Sequence, residues 1–488
     1  MFKSSTRGIG TRSGRRSFLA ALPFVGTLAA PVRAVATPVL EPEPGSQSLK
    51  QRFMSALEGM EIADSHEHLL EESERVAMRI DFFSLIGHYA IGDAICAGMP
   101  AEALQLMQNK GLSDVERWRA VEPYWKYSRF TAITQCLRLA VRDIYGFDEI
   151  CASTISPIND AIRARNKPGF YHYIFKEKAR IRFWVLDDRH DNPIKPDRDY
   201  FVTVREFDDF ALMHTSEHVH QLEQMTDVSI TSLADLKRAL HKNFQEAVDT
   251  GIVGIKSVIA YFRDIHFREV TEQEAASDFE SLMGHDRPFP EGFRQRVERP
   301  YRNLEDYMFH EVIKLCEAHH LPVQFHTGLN GTNYIENTNP THLTNLFFLY
   351  PQVRFSIFHM SYPYWEELSA LARGFANVFI DCTGAPIISP ELAVHGLAQY
   401  LDMVPSNKIQ AFGGDYFYAE DSYAHAKMAR RVVAQVLAGK VEEGYYTETE
   451  ALEVGKRLLH DNAAALFFDK RPGPFPTLER YVPGSIPA

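Results

Sequence analysis

Met60-Glu61-Ile62-Ala63-Asp64-Ser65-His66-Glu67-His68-Leu69 is the stretch that decides how this 488-residue chain folds. It is a short apolar run that ends in two histidines separated by one residue. Side chains in a strand alternate between faces, so His66 and His68 should point the same way, with Asp64 below them and Glu67 facing away. Two imidazoles so placed form half of a transition-metal site; the alternative is an ordinary surface strand end.

Seven more strand-like runs follow, with helical patterns between several of them. The runs are Ile181–Leu186, Phe201–Val204, Gly254–Ile259, Leu321–His326, Val353–His359, Asn377–Asp381 and Lys408–Phe412. The helical patterns cover Leu233–Asp249, Leu304–His319, Trp365–Phe375, Pro390–Leu401 and Asp421–Leu437, and a closing helix lies near Glu448–Phe467. Eight strands alternating with helices favour a (β/α)8 barrel (TIM barrel) over an open doubly wound sheet.

Residues 71–178 are helical in pattern and contain no good strand run, which predicts a helical insertion after strand 1. The segment 121–130 within it is dense in aromatic and basic residues. Such density is typical of a core, but an insertion above a barrel mouth often supplies a substrate lid. Tyr127 and Arg129 are therefore candidate pocket residues.

Polar residues end several of the predicted strands, which is where barrel enzymes carry their catalytic groups. His326 precedes a Thr-Gly turn, and His359 repeats that pattern one strand later. Asp415 follows two glycines that let the backbone bend tightly. Lys256 and Asp381 end two further strands, and Asp381 is a candidate for substrate contact. Each residue alone is weak evidence for a functional site, but their occurrence at the ends of successive strands of one barrel indicates a single site.

These motifs resemble the amidohydrolase superfamily, in its amidohydrolase-related branch. That pattern is His-x-His on strand 1, His on strands 5 and 6 and Asp on strand 8, and the matching residues are His66, His68, His326, His359 and Asp415. The motifs around 254–263, 325–328 and 359–363 are most similar to the amidohydrolase-like domain of glutamine-synthetase-related proteins. Uronate isomerases are a more distant likeness. The resemblance covers roughly residues 52–468.

The resemblance implies a divalent metal held by His66, His68, His326 and Asp415, with one position open for water. Three imidazoles and a carboxylate suit Zn²⁺ best, with Mn²⁺ or Fe²⁺ as alternatives. Asp415 would accept the proton of the water and pass it to a leaving group. His359 would polarise a substrate carbonyl or orient the water, or act as a second metal ligand. Asp64 would fix the tautomer of the histidines or pack in the barrel floor.

Lys256 allows two functional interpretations. Some amidohydrolases carry a carbamylated lysine that bridges two metals at this position, and burial favours the neutral amine that reacts with CO₂. Alternatively, a charged Lys256 beside Arg263, with Tyr261 nearby, makes a cationic wall for a substrate carboxylate. We predict one metal per chain and a substrate contact; an ion pair with a barrel carboxylate is the structural alternative.

Three functions fit this pattern. The first is hydrolysis of an amide, ester or cyclic amide bond in a small carboxylate-bearing substrate. The second is decarboxylation or isomerisation of a small organic acid, because one Lewis-acid site serves both chemistries. The third is a non-catalytic binding protein, which the five matching residues disfavour. Hydrolysis is the prediction.

The N-terminal residues 1–36 predict a signal peptide. A basic start precedes an apolar run and Ala34-Val35-Ala36, and residues 14–20 resemble a twin-arginine signal around Arg15 and Arg16. We therefore expect a bacterial periplasmic or secreted protein; an uncleaved membrane anchor is the alternative. The sequence predicts a linker over residues 37–50, the amidohydrolase-like barrel over residues 51–470 and a C-terminal arm over residues 471–488.

The charge of the chain limits its partners. The formal net charge is −12, and cleavage after Ala36 would remove six basic and no acidic residues. Nucleic acid and anionic membranes are therefore poor partners, and no stable membrane span is expected after processing. A homo-oligomer is possible. The five cysteines are widely spaced and predict neither a disulfide framework nor a zinc-thiolate site.

Overall fold

The computed structural model describes residues 47–188, 200–284, 299–329 and 334–468. The predicted signal peptide, most of the linker and the C-terminal arm lie outside these residues. Across the described ranges, no helix combines the length and the apolar character that crossing a bilayer requires. All five cysteines are unpaired, as the spacing predicted.

Eight parallel strands form the sheet in chain order, which confirms the predicted barrel. They are β1 Ile62–Glu67, β2 Ile181–Asp188, β3 Phe201–Glu206, β4 Gly254–Ser257, β5 Val323–Phe325, β6 Phe355–Ile357, β7 Val378–Asp381 and β8 Ile409–Gln410. Backbone hydrogen bonds from Ser65 N to Phe412 O and from Asp415 N to His66 O join β1 to the segment after β8. The barrel therefore closes where His66 and Asp415 meet.

Helices surround the strands and fill the predicted insertion. The first eight are α1 Leu49–Gly59, α2 Glu72–Ala77, α3 Phe82–Ile86, α4 Ala90–Cys96, α5 Ala101–Gln108, α6 Asp114–Ser128, α7 Ala132–Ala140 and α8 Ile155–Arg165. The next six are α9 Ser216–Thr226, α10 Leu233–Thr250, α11 Glu272–Gly284, α12 Arg302–His319, α13 Thr344–Leu349 and α14 Trp365–Gly374. The last five are α15 Ala385–Ile388, α16 Pro390–Met403, α17 Ala419–Glu442, α18 Glu448–Lys456 and α19 Asn462–Phe468. Wider helical turns occupy Val141–Tyr145, His172–Lys178 and Arg457–Asp461.

The insertion, α2 to α8, has its own apolar core around Trp118 and Trp125. It is held to the barrel by a buried ion pair, because Arg75 donates to Glu420 at the start of α17 at 2.6 Å. The hydroxyl of Tyr145 donates to the same carboxylate, also at 2.6 Å. These contacts place the insertion next to the segment that carries Asp415.

Candidate metal centre

His66, His68 and Asp415 converge where the barrel closes. Their ligand atoms all lie within 4.8 Å of one another. The Nε2 atoms of the two histidines are 3.3 Å apart, and Asp415 Oδ1 lies 3.2 Å from His68 Nε2 and 3.7 Å from His66 Nε2. Period-two alternation along β1 therefore brings both imidazoles to one point, opposite the carboxylate.

The two glycines before Asp415 are required by the space around them. A Cβ at Gly413 would overlap the hydroxyl of Thr383, and a Cβ at Gly414 would overlap the carboxylate of Glu67. Asp415 itself has a φ of 63°, in the left-handed region, and its N–H donates to His66 O at 2.9 Å. Backbone geometry thus fixes the carboxylate against the histidines before any ligand arrives.

Gln324 on β5 sets the tautomer of His66, a role that our sequence analysis missed. Its amide nitrogen donates to Ser65 O at 2.7 Å, which leaves Oε1 to accept from His66 Nδ1 at 3.1 Å. Nδ1 then carries the hydrogen, and Nε2 presents a lone pair towards His68 and Asp415. The sequence did carry a signal for this role: Gln324 lies two residues before His326 and therefore points to the same side of the barrel as that histidine.

His326 and His359 form a pair of their own. His359 Nδ1 donates to Thr383 O at 2.7 Å, so its Nε2 accepts from His326 Nδ1 at 3.1 Å. His326 Nε2 is then a buried lone pair without a hydrogen-bond partner among the described residues. His326 is not one of the three residues whose ligand atoms lie within 4.8 Å of one another. Its Nε2 is nevertheless unprotonated, as a metal ligand must be.

Lys256 lies inside the site, at the end of β4. Its Nζ is 3.3 Å from His66 Nε2 and lies 3.8 Å from the ring centre of Phe358. Burial lowers the pKa of the ammonium, against the opposing effect of Asp187 and Asp415. Lys256 is therefore placed to contact whatever binds beside His66.

Arg263 is held in ion pairs to α12, which disfavours the predicted cationic wall with Lys256. Its guanidinium is buried and donates to Glu305 at 3.0 Å and to Asp306 at 2.5 Å, both on α12. Glu305 also pairs with Arg299 and Asp306 with Arg302, so Arg263 is one member of a buried ion-pair cluster. Tyr261 is closer to the site, since its ring centre lies 4.4 Å from that of His326.

Asp64 and Asp381 are held by hydrogen bonds inside the barrel. Asp64 Oδ1 accepts from the backbone N–H groups of His66 and Gly414, at 3.2 and 2.9 Å, which fits the alternative of packing in the barrel and not that of fixing a histidine tautomer. Asp381 accepts from Thr383 N–H at 2.9 Å and from the hydroxyls of three residues, Ser65, Ser356 and Thr383. It belongs to a polar layer inside the barrel, which disfavours Asp381 as a candidate for substrate contact.

The insertion reaches the site through Tyr89, which our sequence analysis did not single out. Its hydroxyl donates to Asp415 Oδ2 at 2.7 Å. The predicted lid residues lie elsewhere: Tyr127 is 63% exposed, and the Arg129 guanidinium stacks on Phe130. The insertion thus contacts the metal centre through Tyr89, between α3 and α4, instead of through the aromatic segment.

The charge states of these groups suit a divalent cation. Burial, together with the charge of Lys256, holds the pKa of His66 well below its usual value, and burial does the same for His326. Both imidazoles are therefore neutral at pH 7. Burial opposes ionisation of Asp415, but its hydrogen bond to His68 and the nearby imidazoles hold its pKa well below the usual value. Neutral imidazole nitrogens and an ionised carboxylate match the donor set of Zn²⁺, Mn²⁺ or Fe²⁺.

Comparison with known proteins finds a family match in the C-terminal part of the chain. The amidohydrolase family model matches residues 278–468. Protein fluG of Emericella nidulans is 28% identical over 257 residues, which are 49% of this chain and 29% of that protein. The chain thus matches less than a third of the length of this relative.

Three solved structures share the fold. Uronate isomerase from Thermotoga maritima is 15% identical, with 86% of this chain and 97% of that chain covered and a TM-score of 0.68. Glucuronate isomerase from Caulobacter crescentus is 17% identical, with 88% and 96% covered and a TM-score of 0.68. A candidate metal-dependent hydrolase from Lactobacillus casei is 16% identical, with 86% and 98% covered and a TM-score of 0.60. At these identities the likeness shows the fold alone; the family match over residues 278–468 is what supports an enzyme of the amidohydrolase type.

Proposed function

We propose that this chain is a metal-dependent hydrolase that cleaves an amide, ester or cyclic amide bond in a small substrate bearing a carboxylate. The observation that carries the proposal is the convergence of His66, His68 and Asp415 within 4.8 Å, where burial keeps the His66 imidazole neutral and the Asp415 carboxylate is ionised. His326 Nε2 is the proposed fourth ligand. A bound Zn²⁺, or Mn²⁺ or Fe²⁺ in its place, would lower the pKa of a water and polarise a substrate carbonyl.

The residues of the chain divide the remaining work. Asp415 accepts a proton from the attacking water and returns it to the leaving group, since its carboxylate is ionised and fixed in place. Tyr89 holds Asp415 Oδ2 through its hydroxyl. Lys256 contacts the substrate carboxylate or the developing negative charge from its position beside His66. His359 keeps His326 in the tautomer that leaves Nε2 unprotonated.

Isotope incorporation during turnover tests the reaction type. The purified, metal-loaded enzyme is screened against N-acyl amino acids, lactones and aromatic acids in H₂¹⁸O. Hydrolysis predicts one ¹⁸O atom in the carboxylate product, detected by mass spectrometry. A product without ¹⁸O, or release of CO₂, would exclude hydrolysis.

Isomerisation or decarboxylation of a small organic acid is the second candidate. Tyr89 and Lys256 favour it, because they place two proton-bearing groups against Asp415 and His66. Moving a proton between neighbouring carbons requires an acid and a base on one substrate. Solvent deuterium in an isomeric product, without water uptake, would support this candidate against the first.

We also propose export by the twin-arginine route, on the basis of Arg15 and Arg16. Replacing both with Lys should leave the precursor in the cytoplasm of a bacterial host. Immunoblots of periplasmic and cytoplasmic fractions measure this, and normal export of the variant would contradict the route.

A further inference from the structure

A cavity of about 330 Å³ lies between the insertion and the segment that follows Asp415. Four of its ten lining residues are aromatic: Phe83 and His88 from the insertion, and Phe417 and Tyr418 from the loop before α17. The volume is near the lower end of the range for small-molecule sites, ~300–1,000 Å³. None of the residues described above as metal ligands or proton carriers lines it.

Two cationic side chains, Lys110 and Arg117, line this cavity. Lys110 is exposed and makes neither an ion pair nor a hydrogen bond to any described residue. Arg117 is buried, and it uses Nη1 on Asp81 at 2.5 Å and Nε on Met107 O at 2.7 Å while it stacks on Phe83. Asp81 neutralises Arg117, so Lys110 supplies the net positive charge of the cavity. An anionic group is the complement of such a wall in a chain whose formal net charge is −12.

The wall between this cavity and the metal centre is one side chain thick. Phe417 lines the cavity, and its ring centre lies 5.6 Å from that of His68. His88 also lines the cavity. Its ring centre lies 4.4 Å from the ring centre of Phe417 and 4.0 Å from that of Tyr89. Tyr89 in turn donates to Asp415. A ligand in the cavity would therefore lie against the residues that support the metal centre.

We propose that the cavity is a binding site for an aryl carboxylate that is separate from the substrate at the metal centre. The aromatic side chains contact the ring, and Lys110 pairs with the carboxylate. Phe417 separates this ligand from His66, His68 and Asp415, so the two sites can be filled independently. The binding of an aryl carboxylate therefore depends neither on turnover nor on the proposed function.

Isothermal titration with 4-phenylbutyrate tests this site directly. The wild-type protein should bind this probe, and 4-phenylbutanol, which lacks the charge, should bind more weakly. Lys110→Glu should weaken binding of 4-phenylbutyrate about ten-fold, because it replaces attraction at an exposed site with repulsion. Lys126→Glu, which makes the same charge change elsewhere on the insertion, should bind like the wild type, since Lys126 lies outside the cavity.

The His68→Ala variant separates the aryl carboxylate site from the metal centre. It should bind the probe as tightly as the wild type, because the proposed contacts do not involve the metal ligands. Equal binding by Lys110→Glu and the wild type, loss of binding in His68→Ala, or no binding by the wild type would each overturn the proposed site. If binding follows Lys110 but the protein proves to hold no metal, the proposed function fails and the aryl carboxylate site remains.

Discussion

The two sides of the barrel mouth carry similar residues but use them differently. On the side where β1 meets the segment after β8, the polar atoms of His66, His68 and Asp415 point at one another. On the side of β4 to β6, Arg263 is held in ion pairs by Glu305 and Asp306, and His326 keeps only its Nε2 available because its Nδ1 donates to His359. A polar residue at a strand end is available to a metal or a substrate only through the atoms that neighbouring elements leave unsatisfied.

Asp415→Asn should produce the largest loss of turnover on the first side. An amide oxygen can still face the histidines but cannot accept a proton, so kcat should fall about 10³-fold. Steady-state kinetics and circular dichroism measure turnover and folding. Turnover within a few-fold of the wild type would show that another group acts as the base.

Arg263→Met should instead reduce stability, because it removes one charge-assisted hydrogen bond each from Glu305 and Asp306, which keep Arg299 and Arg302 as partners. We expect a loss of about 3 kcal/mol in the free energy of unfolding, with KM of the folded enzyme unchanged. Urea denaturation measures the loss. Arg238→Met is the matched control, since Arg238 is exposed and pairs with Asp235 on the surface. A stable Arg263→Met enzyme with a raised KM would restore Arg263 as a substrate contact.

Lys256→Met should raise KM about 30-fold, because a charge-assisted contact to the substrate is lost. The metal content should stay at one per chain, as measured by mass spectrometry of the metal. Two metals in the wild type, falling in the variant and restored by added short carboxylates, would instead indicate a carbamylated lysine.

Tyr89→Phe should have the smallest effect of these substitutions. Removing the hydroxyl takes one hydrogen bond from Asp415 Oδ2, so we expect a decrease in kcat of about ten-fold. Tyr127→Phe is the control, because Tyr127 is on the surface of the same insertion. Equal activity of the two variants would show that the insertion does not support Asp415.

The strands were predictable because each apolar run ends in a polar residue or a turn. The lengths of the strands were less predictable, since the run Leu321–His326 contains a strand only over Val323–Phe325. Hydrophobicity marks burial, and buried residues continue beyond the last strand hydrogen bonds. The pair of His66 and His68 was predictable from period two alone, without knowledge of any other element.

The partners of the site residues were harder to predict because they come from distant segments. Arg263 and Glu305 are 42 residues apart, and α12 must pack beside β4 before they meet. Tyr89 reaches Asp415 across 326 residues, through the docking of the whole insertion. Local patterns identify groups that can act, whereas tertiary packing decides which of them remain available.

Metal stoichiometry shows whether His66 and His68 hold a metal ion at the closure of the barrel. The wild type, His66→Ala, His68→Ala and the surface control His172→Ala are loaded with Zn²⁺, separated from free metal by gel filtration and analysed by mass spectrometry. We predict one Zn²⁺ per chain in the wild type and in His172→Ala, and almost none in the other two variants, because each loses one of few ligands. Full occupancy in His66→Ala or His68→Ala would contradict a metal centre at the closure of the barrel.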